Sequence, residues 1–220
     1  MTLEEAIAKI KPLDHNAMEI AQKRWDSIAK PLHSLGKLET LLIQIAGITG
    51  NAEVDLSRRG LIAMCADNGV VEEGVTQTGQ EVTAIVAENF LKYDTSVGVM
   101  CKQNHAEIFP VDMGMVTDTK VRTDHKIAYG TQNMTKGPAM TREQAVKGLE
   151  AGIDMVRELN DKGYRILATG EMGIGNTTTS SAVASVLLKQ PVEEMTGRGA
   201  GLTSEGLVRK INAIQKSHCN

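Results

Sequence analysis

Cysteine is scarce in this 220-residue chain, and its placement excludes two kinds of site. Cys65, Cys101 and Cys219 are an odd set without CxxC spacing, so neither a disulfide scaffold nor a zinc or redox pair is indicated. Cys65 and Cys101 lie inside apolar runs, the setting of buried reduced thiols. The five histidines, His15, His33, His105, His125 and His218, form no HxH or HExxH set, so no metal site is expected. Charge of one sign is lacking too: 24 Lys and Arg against 27 Asp and Glu give −3, with both signs scattered. That disfavours a nucleic-acid partner. Long hydrophobic runs are missing. The longest, residues 60–66, falls far short of the roughly 20 apolar residues a membrane span needs. Glu4 and Glu5 stand where an export signal would carry Lys or Arg. A cytoplasmic protein with no membrane attachment is expected.

What remains is ordinary globular sequence, 41% hydrophobic and 23% charged, long enough for one large domain with a small appendage. The first 50 residues read as helices. Thr2 and Glu5 form a capping box ahead of Leu3, Ala6 and Ile10. Asp14 can cap a second helix bearing Ala17, Ile20, Ala21, Trp25 and Ile28, which Lys30-Pro31 stops. A third helix follows Gly36, with Leu38, Leu41, Leu42, Ile45 and Ala46 as its expected buried stripe. No strand interrupts this stretch, so residues 1–50 are expected to form a helical subdomain and 51–220 the main domain.

The pattern changes at Gly60. Residues 60–66 are continuously apolar and end in Asp67-Asn68-Gly69, as a strand buried on both faces would. A helix carrying Val82, Ile85, Val86 and Leu91 follows, then a short one around residues 97–100. Residues 108–111 form a second strand, where Pro110 predicts an edge or irregular position. Residues 114–140 carry little signal. Thr141 and Gln144 make another capping box, opening a helix with Ala145, Val146, Leu149, Ile153 and Val156 that ends before Gly163. The third strand, residues 165–169, runs into Gly170-Glu171-Met172-Gly173-Ile174-Gly175-Asn176. The helix after it is expected to bury Ala182, Val183, Val186 and Leu187. Strand, loop and helix, three times over, predict an α/β fold with a parallel sheet covered on both sides.

In such sheets ligands bind beyond the carboxyl ends of the strands. Residues 170–179 are the strongest candidate. Three glycines let the backbone turn sharply, and the helix that follows offers unpaired N–H groups and a positive dipole end to an anion. The spacing approaches GxxxxGK[ST], but Asn176 stands where the lysine would be, so a mononucleotide or sugar phosphate suits the loop better than ATP. GxGxxG is absent. A plain tight turn competes with this reading. Glu171 tips the balance, since a carboxylate beside a phosphate loop makes sense facing a sugar hydroxyl or a cationic centre. A second glycine loop, Thr196-Gly197-Arg198-Gly199-Ala200-Gly201-Leu202, precedes a helix with Leu207, Lys210, Ile211 and Ile214. Arg198 could meet a phosphate, although flexible connections look similar and Lys210 is by default a solvated charge. In the loop after the first strand, Asn68-Gly69 is a hairpin signal without a partner strand, so an active-site loop competes well with a turn. There Thr76 is a polar candidate, and Glu72 and Glu73 read as solvated charges.

Taken together, Lys30-Pro31-Leu32-His33-Ser34-Leu35-Gly36-Lys37-Leu38-Glu39, Cys65-Ala66-Asp67-Asn68-Gly69-Val70, Gly74-Val75-Thr76, Val82-Thr83 and the two glycine loops resemble the nicotinate-nucleotide:dimethylbenzimidazole phosphoribosyltransferase family. In order and spacing they cover nearly the whole chain. The resemblance implies a doubly wound, Rossmann-like domain joined to a small helical one, usually as a homodimer. It implies transfer of 5-phosphoribose from nicotinate mononucleotide to 5,6-dimethylbenzimidazole, giving α-ribazole 5′-phosphate and nicotinate in cobalamin synthesis. No metal or other cofactor is implied, because the pyridinium leaving group is already cationic. By similarity, Gly173, Gly175, Asn176, Thr177 and Thr178, with Arg198, Gly199, Gly201 and Lys210, would hold the phosphate. Glu171 would face the ribose as the catalytic residue, and Thr76 and Met172 would border the base.

Two departures follow from the same resemblance. Ile85 stands where many members have glutamine, so base choice is expected to differ. The family's general base is a glutamate in a Leu-Gly-Glu-Gly-Thr-Gly segment near the C-terminus, and this sequence reaches Asn220 without it. A fragment, a truncated chain or one half of a two-polypeptide enzyme is implied, with a non-catalytic nucleotide-binding subunit as the alternative.

Overall fold

The computed structural model describes residues 1–218. The chain divides into two compact units, one spanning Met1–Arg58 and the other beginning at Arg59. The first holds α1 (Leu3–Ala8), α2 (His15–Ser27) and α3 (Lys37–Thr49). The expected caps are in place: Thr2 and Glu5 close a capping box on α1, and Asp14 Oδ1 accepts the Ala17 amide at 2.9 Å. Helices α2 and α3 pack through small residues, with Ala17, Ala21, Ala46 and Gly47 buried. Leu38 and Leu41, expected in the buried stripe of the third helix, lie exposed instead, as does Ile20 of α2. Close approach along the alanine and glycine ridge leaves these larger side chains on the flanks. Near the start of α3, the buried Glu39 pairs with Lys30 at 2.9 Å and accepts the Leu35 amide, tying down residues 30–36.

The second unit holds a three-stranded parallel sheet of order β2-β1-β3, with β1 Arg59–Ala66, β2 Ala106–Gly114 and β3 Ile166–Met172. Helices α4 (Glu81–Lys92) and α5 (Ser96–Gln103) join β1 to β2, and α6 (Arg142–Asp161) leads from β2 to β3. The alternation of β1 feeds two cores. Ala63 and Cys65 pack with Ala84, Ala87 and Phe90 of α4, while Ile62 packs with Val111, Met155, Leu159 and Tyr164 on the α6 side. The sheet is thus covered on both faces, the doubly wound, Rossmann-like arrangement expected. Pro110 sits in β2, an outer strand that tolerates a missing ladder donor.

After β3 come α7 (Asn176–Leu188), α8 (Val192–Met195) and α9 (Ser204–Ser217). Helix α7 overturns one expectation. Ala182 is buried with Thr178 and Ser185, but Val183, Val186 and Leu187 are exposed, Leu187 to 74%. Hydroxyl and apolar residues are spread round this helix without a charged face, so its sequence could not reveal which stripe meets Val192 and Ile214. Cys65 and Cys101 are buried thiols, and burial pushes Cys65 up to about 12. Cys219 lies outside the described residues. Among the described residues no helix is long and apolar enough to cross a membrane.

Candidate active site

The chain steps from β1 to β2 on one side, then back across β1 to β3 on the other. That reversal makes the gap beyond β1 and β3 the switch point at which open α/β sheets bind ligands. A cleft of about 300 Å³ opens there, bordered by residues 75–78, 172–177 and part of the second glycine loop. The segment after β1 forms no hairpin. It coils into a 3₁₀ turn, Gly69–Glu73, because the partner strands of β1 both run parallel to it.

Glu171 belongs to β3 rather than to the loop. The ladder continues past Gly170, pairing Met64 with Glu171 and Cys65 with Met172. The carboxylate therefore projects from a strand end with a fixed register, and Asn176 Nδ2 donates to its Oε2. Partial desolvation raises the Glu171 pKa above 4.5, which donation from Asn176 opposes.

The turn shrinks to Gly173-Ile174-Gly175, and α7 begins at Asn176 without a side-chain cap. Both glycines are required. A Cβ on Gly173 would run into the Ala66 carbonyl, and Gly175 has φ +92 with Val71 and Asn68 close by. The amides of Asn176 and Thr178 turn back to the carbonyls of Gly173 and Gly175. Those two amides are satisfied within the turn, while the uncapped helix start, lining the cleft through Gly175, Asn176 and Thr177, turns its positive pole toward it.

Lys210, a phosphate ligand by resemblance but a solvated charge by default, is buried. Its side chain is only 1% exposed, and Nζ donates to Thr177 Oγ1 at 2.8 Å and to the Gly197 carbonyl at 3.0 Å. No carboxylate pairs with it among the described residues, and burial alone lowers its pKa. A buried ammonium held only by neutral oxygens is an incomplete arrangement that an anion would complete.

Of the sequence-predicted residues, Thr76, Met172, Gly173, Gly175, Asn176, Thr177 and Arg198 line the cleft. Gly199 lies against Thr177 and Lys210, so close that a Cβ there would meet Thr177 Oγ1 at 2.7 Å. Gly201 offers its carbonyl to Gln77 Nε2, which joins the rims. Arg198 spends donors close by, on the Leu202 carbonyl of its own loop at 2.7 Å and on Ser204 Oγ at the start of α9 at 3.0 Å. The Thr76 hydroxyl donates to the Thr78 carbonyl. Thr178 faces inward, fully buried, with its hydroxyl unpartnered. Ile85 is exposed on α4. Sequence reasoning gave no role to Gln77, Thr83 or the side chain of Asn68, although Asn68 and Thr83 lie in segments that carry the resemblance. Among the described residues no group of three or more His, Cys, Asp or Glu is arranged to hold a metal ion.

Residues 10–219 match a family model described as phosphoribosyltransferase. The chain belongs to this phosphoribosyltransferase family. It is 50% identical over 219 residues to the nicotinate-nucleotide–dimethylbenzimidazole phosphoribosyltransferase of Ruminiclostridium cellulolyticum, covering 99% of this chain and 62% of that protein. The protein of the same name from Clostridium acetobutylicum is 48% identical, at 99% and 62% coverage. The solved structure of CobT from Thermus thermophilus matches with a TM-score of 0.83 at 36% identity, covering 91% of this chain and 61% of that one. The chain thus spans about three fifths of the length of these relatives.

Proposed function

We propose that the cleft binds nicotinate mononucleotide and that the chain serves the transfer of its 5-phosphoribosyl group to 5,6-dimethylbenzimidazole. In that reaction the C1′–N bond to the pyridinium breaks and its electron pair stays on the ring nitrogen, giving nicotinate with an uncharged ring and its carboxylate still ionised. The azole's unprotonated nitrogen forms the new bond to C1′ from the opposite face, so β becomes α. The other azole nitrogen loses its proton to a base, yielding α-ribazole 5′-phosphate. The leaving group needs no acid, so the site must anchor phosphate, stabilise an oxocarbenium-like sugar and orient the acceptor.

The observation that carries this reading is the buried, carboxylate-free Lys210 bonded to Thr177 just after the glycine turn, together with the strand-borne Glu171 bonded to Asn176. Lys210, the 173–178 backbone and the loop of Arg198, Gly199 and Gly201 hold the phosphate in this reading. Glu171 faces the ribose and its developing positive charge, and Thr76 and Met172 border the base. The protein works as a homodimer in the cytoplasm, without nucleic acid.

Incubation with nicotinate mononucleotide and dimethylbenzimidazole, assayed for α-ribazole phosphate, tests the proposal. The assay is run on this chain and on a full-length version supplied with the relatives' C-terminal portion. Absence of product from the full-length version refutes the reaction. Nucleotide binding without turnover by either version would instead favour a non-catalytic nucleotide-binding subunit.

A further inference from the structure

Resting on the reading of the cleft as a ribotide site, we infer that Asn68 and Thr83 are positioning residues that shape the phosphate turn from the β1 side. Ile174, at the apex of that turn, has both of its backbone polar groups bound by side chains from elsewhere. Its amide donates to Thr83 Oγ1 at 3.0 Å, and its carbonyl accepts from Asn68 Nδ2 at 3.0 Å. The other half of the Asn68 amide is engaged as well, Oδ1 accepting the Thr179 hydroxyl at 3.3 Å from the first turn of α7. One side chain therefore spans the glycine turn and the helix whose amino end faces the cleft.

The two holders are themselves held. The Asn68 carbonyl accepts from Gln80 Nε2 at 3.1 Å, and the next amide, Gly69, donates to Thr131 Oγ1 at 3.0 Å. Thr83 is fully buried in α4, and its hydrogen bond to the buried Asp67 opposes, without cancelling, the desolvation that raises that carboxyl's pKa. Contact is close on the turn side. Asn68 lies 3.1 Å from the position a Cβ would take on either Gly173 or Gly175. The turn is thus moulded on Asn68, and its glycines are the surface that permits it. Neither side chain lines the cleft. Their influence on a ligand passes through the amides they orient, which is how a small displacement far from the reacting atoms lowers binding and rate.

Asn68→Ala, Thr83→Val and Thr83→Ser in the 220-residue chain test this with two readouts. The first is calorimetric affinity for nicotinate mononucleotide. The second is amide hydrogen exchange at Ile174 without ligand, with the β1 amides as a reference for the fold. Asn68→Ala and Thr83→Val are expected each to weaken binding about tenfold and to lose protection at Ile174 with β1 unchanged. Thr83→Ser, which keeps the hydroxyl, is expected to restore both. Affinity and protection at the unmutated level in Asn68→Ala and Thr83→Val overturn the inference, as does a Thr83→Ser protein that behaves like Thr83→Val. If Thr83→Val fails to fold, Asn68→Ala decides alone. An unmutated chain that protects Ile174 yet binds no mononucleotide refutes the proposed function, and exchange in the variants still decides whether these side chains hold the turn.

Discussion

The Lys210 ammonium lies 2.8 Å from Thr177 Oγ1, joining the last described helix to the first turn of α7 across 33 positions of sequence. Among the described residues its other partner is the Gly197 carbonyl. Removing this charge should separate stability from binding. Replacing a poorly compensated buried charge by an apolar side chain of similar length is neutral or stabilising. Lys210→Met is therefore expected to melt at the same or a higher temperature, while affinity for nicotinate mononucleotide falls by about 2 kcal/mol or more, roughly thirtyfold. Calorimetry beside thermal melting checks both, and unchanged affinity removes Lys210 from the phosphate site.

The same residue sets a pH dependence. Burial lowers its pKa below the ordinary 10.5, so the unfolded chain keeps this proton to higher pH than the folded one. Stability contributed at this site therefore rises with pH through the alkaline window below 10.5 and levels off once both states are neutral. A bound phosphate monoester favours the charged form, so binding in that window should take up a proton. Titrations in two buffers of different ionisation enthalpy measure it, and proton release on binding would contradict the arrangement.

For Glu171 the sign is opposite in origin. Its pKa is raised above 4.5 by desolvation, so its contribution to stability is full below 4.5 and is lost as pH rises through the raised value. Glu171→Gln should leave the fold intact at neutral pH, with a melting temperature no lower than that of the unmutated protein. In a full-length enzyme it should reduce turnover by about a hundredfold, the scale of losing one charge-stabilising group at a reacting centre. Unchanged kinetics would take Glu171 out of the site.

Gly173→Ala tests the turn directly. The added methyl meets the Ala66 carbonyl, a backbone atom that cannot move without shifting β1. A loss of about 2 kcal/mol or more in unfolding free energy is expected, together with loss of mononucleotide binding. Denaturant titration of the purified variant gives the first and calorimetry the second. A variant as stable as the unmutated protein would show that the turn is looser than drawn.

In the helical unit, the Lys30 side chain, by hydrogen bond and charge, outweighs desolvation and holds Glu39 below the usual carboxylate range. The stability this lends is present above 4.5 and disappears as pH falls through the lowered value. Lys30→Met should weaken the protein at neutral pH and flatten its acid limb, measured as melting temperature against pH. A variant whose acid limb matches the unmutated one would show that the pair contributes nothing.

Much of this molecule was written locally. Capping boxes at Thr2 and Thr141 and the Asp14 cap act within three residues, so the helix starts at these caps were legible. The apolar run into Asp67-Asn68-Gly69 marked a strand buried on both faces, and three such units sufficed for a parallel α/β sheet. The glycine loop declared a tight strand-to-helix turn by composition alone. Other features had no local signature. Thr178 reads like its neighbour Thr177, yet the 3.6-residue period of α7 turns it into the core. Glu171 reads as a loop residue until the ladder to Met64 claims it for β3. Lys210 looks like any solvated helix lysine, and only the packing of α9 against α7 buries its charge beside Thr177. Hydrogen bonds and periodicity act over a few residues, so sequence determines the elements and their caps. Burial, register and pKa depend on which distant elements meet, and the tertiary structure alone decides them.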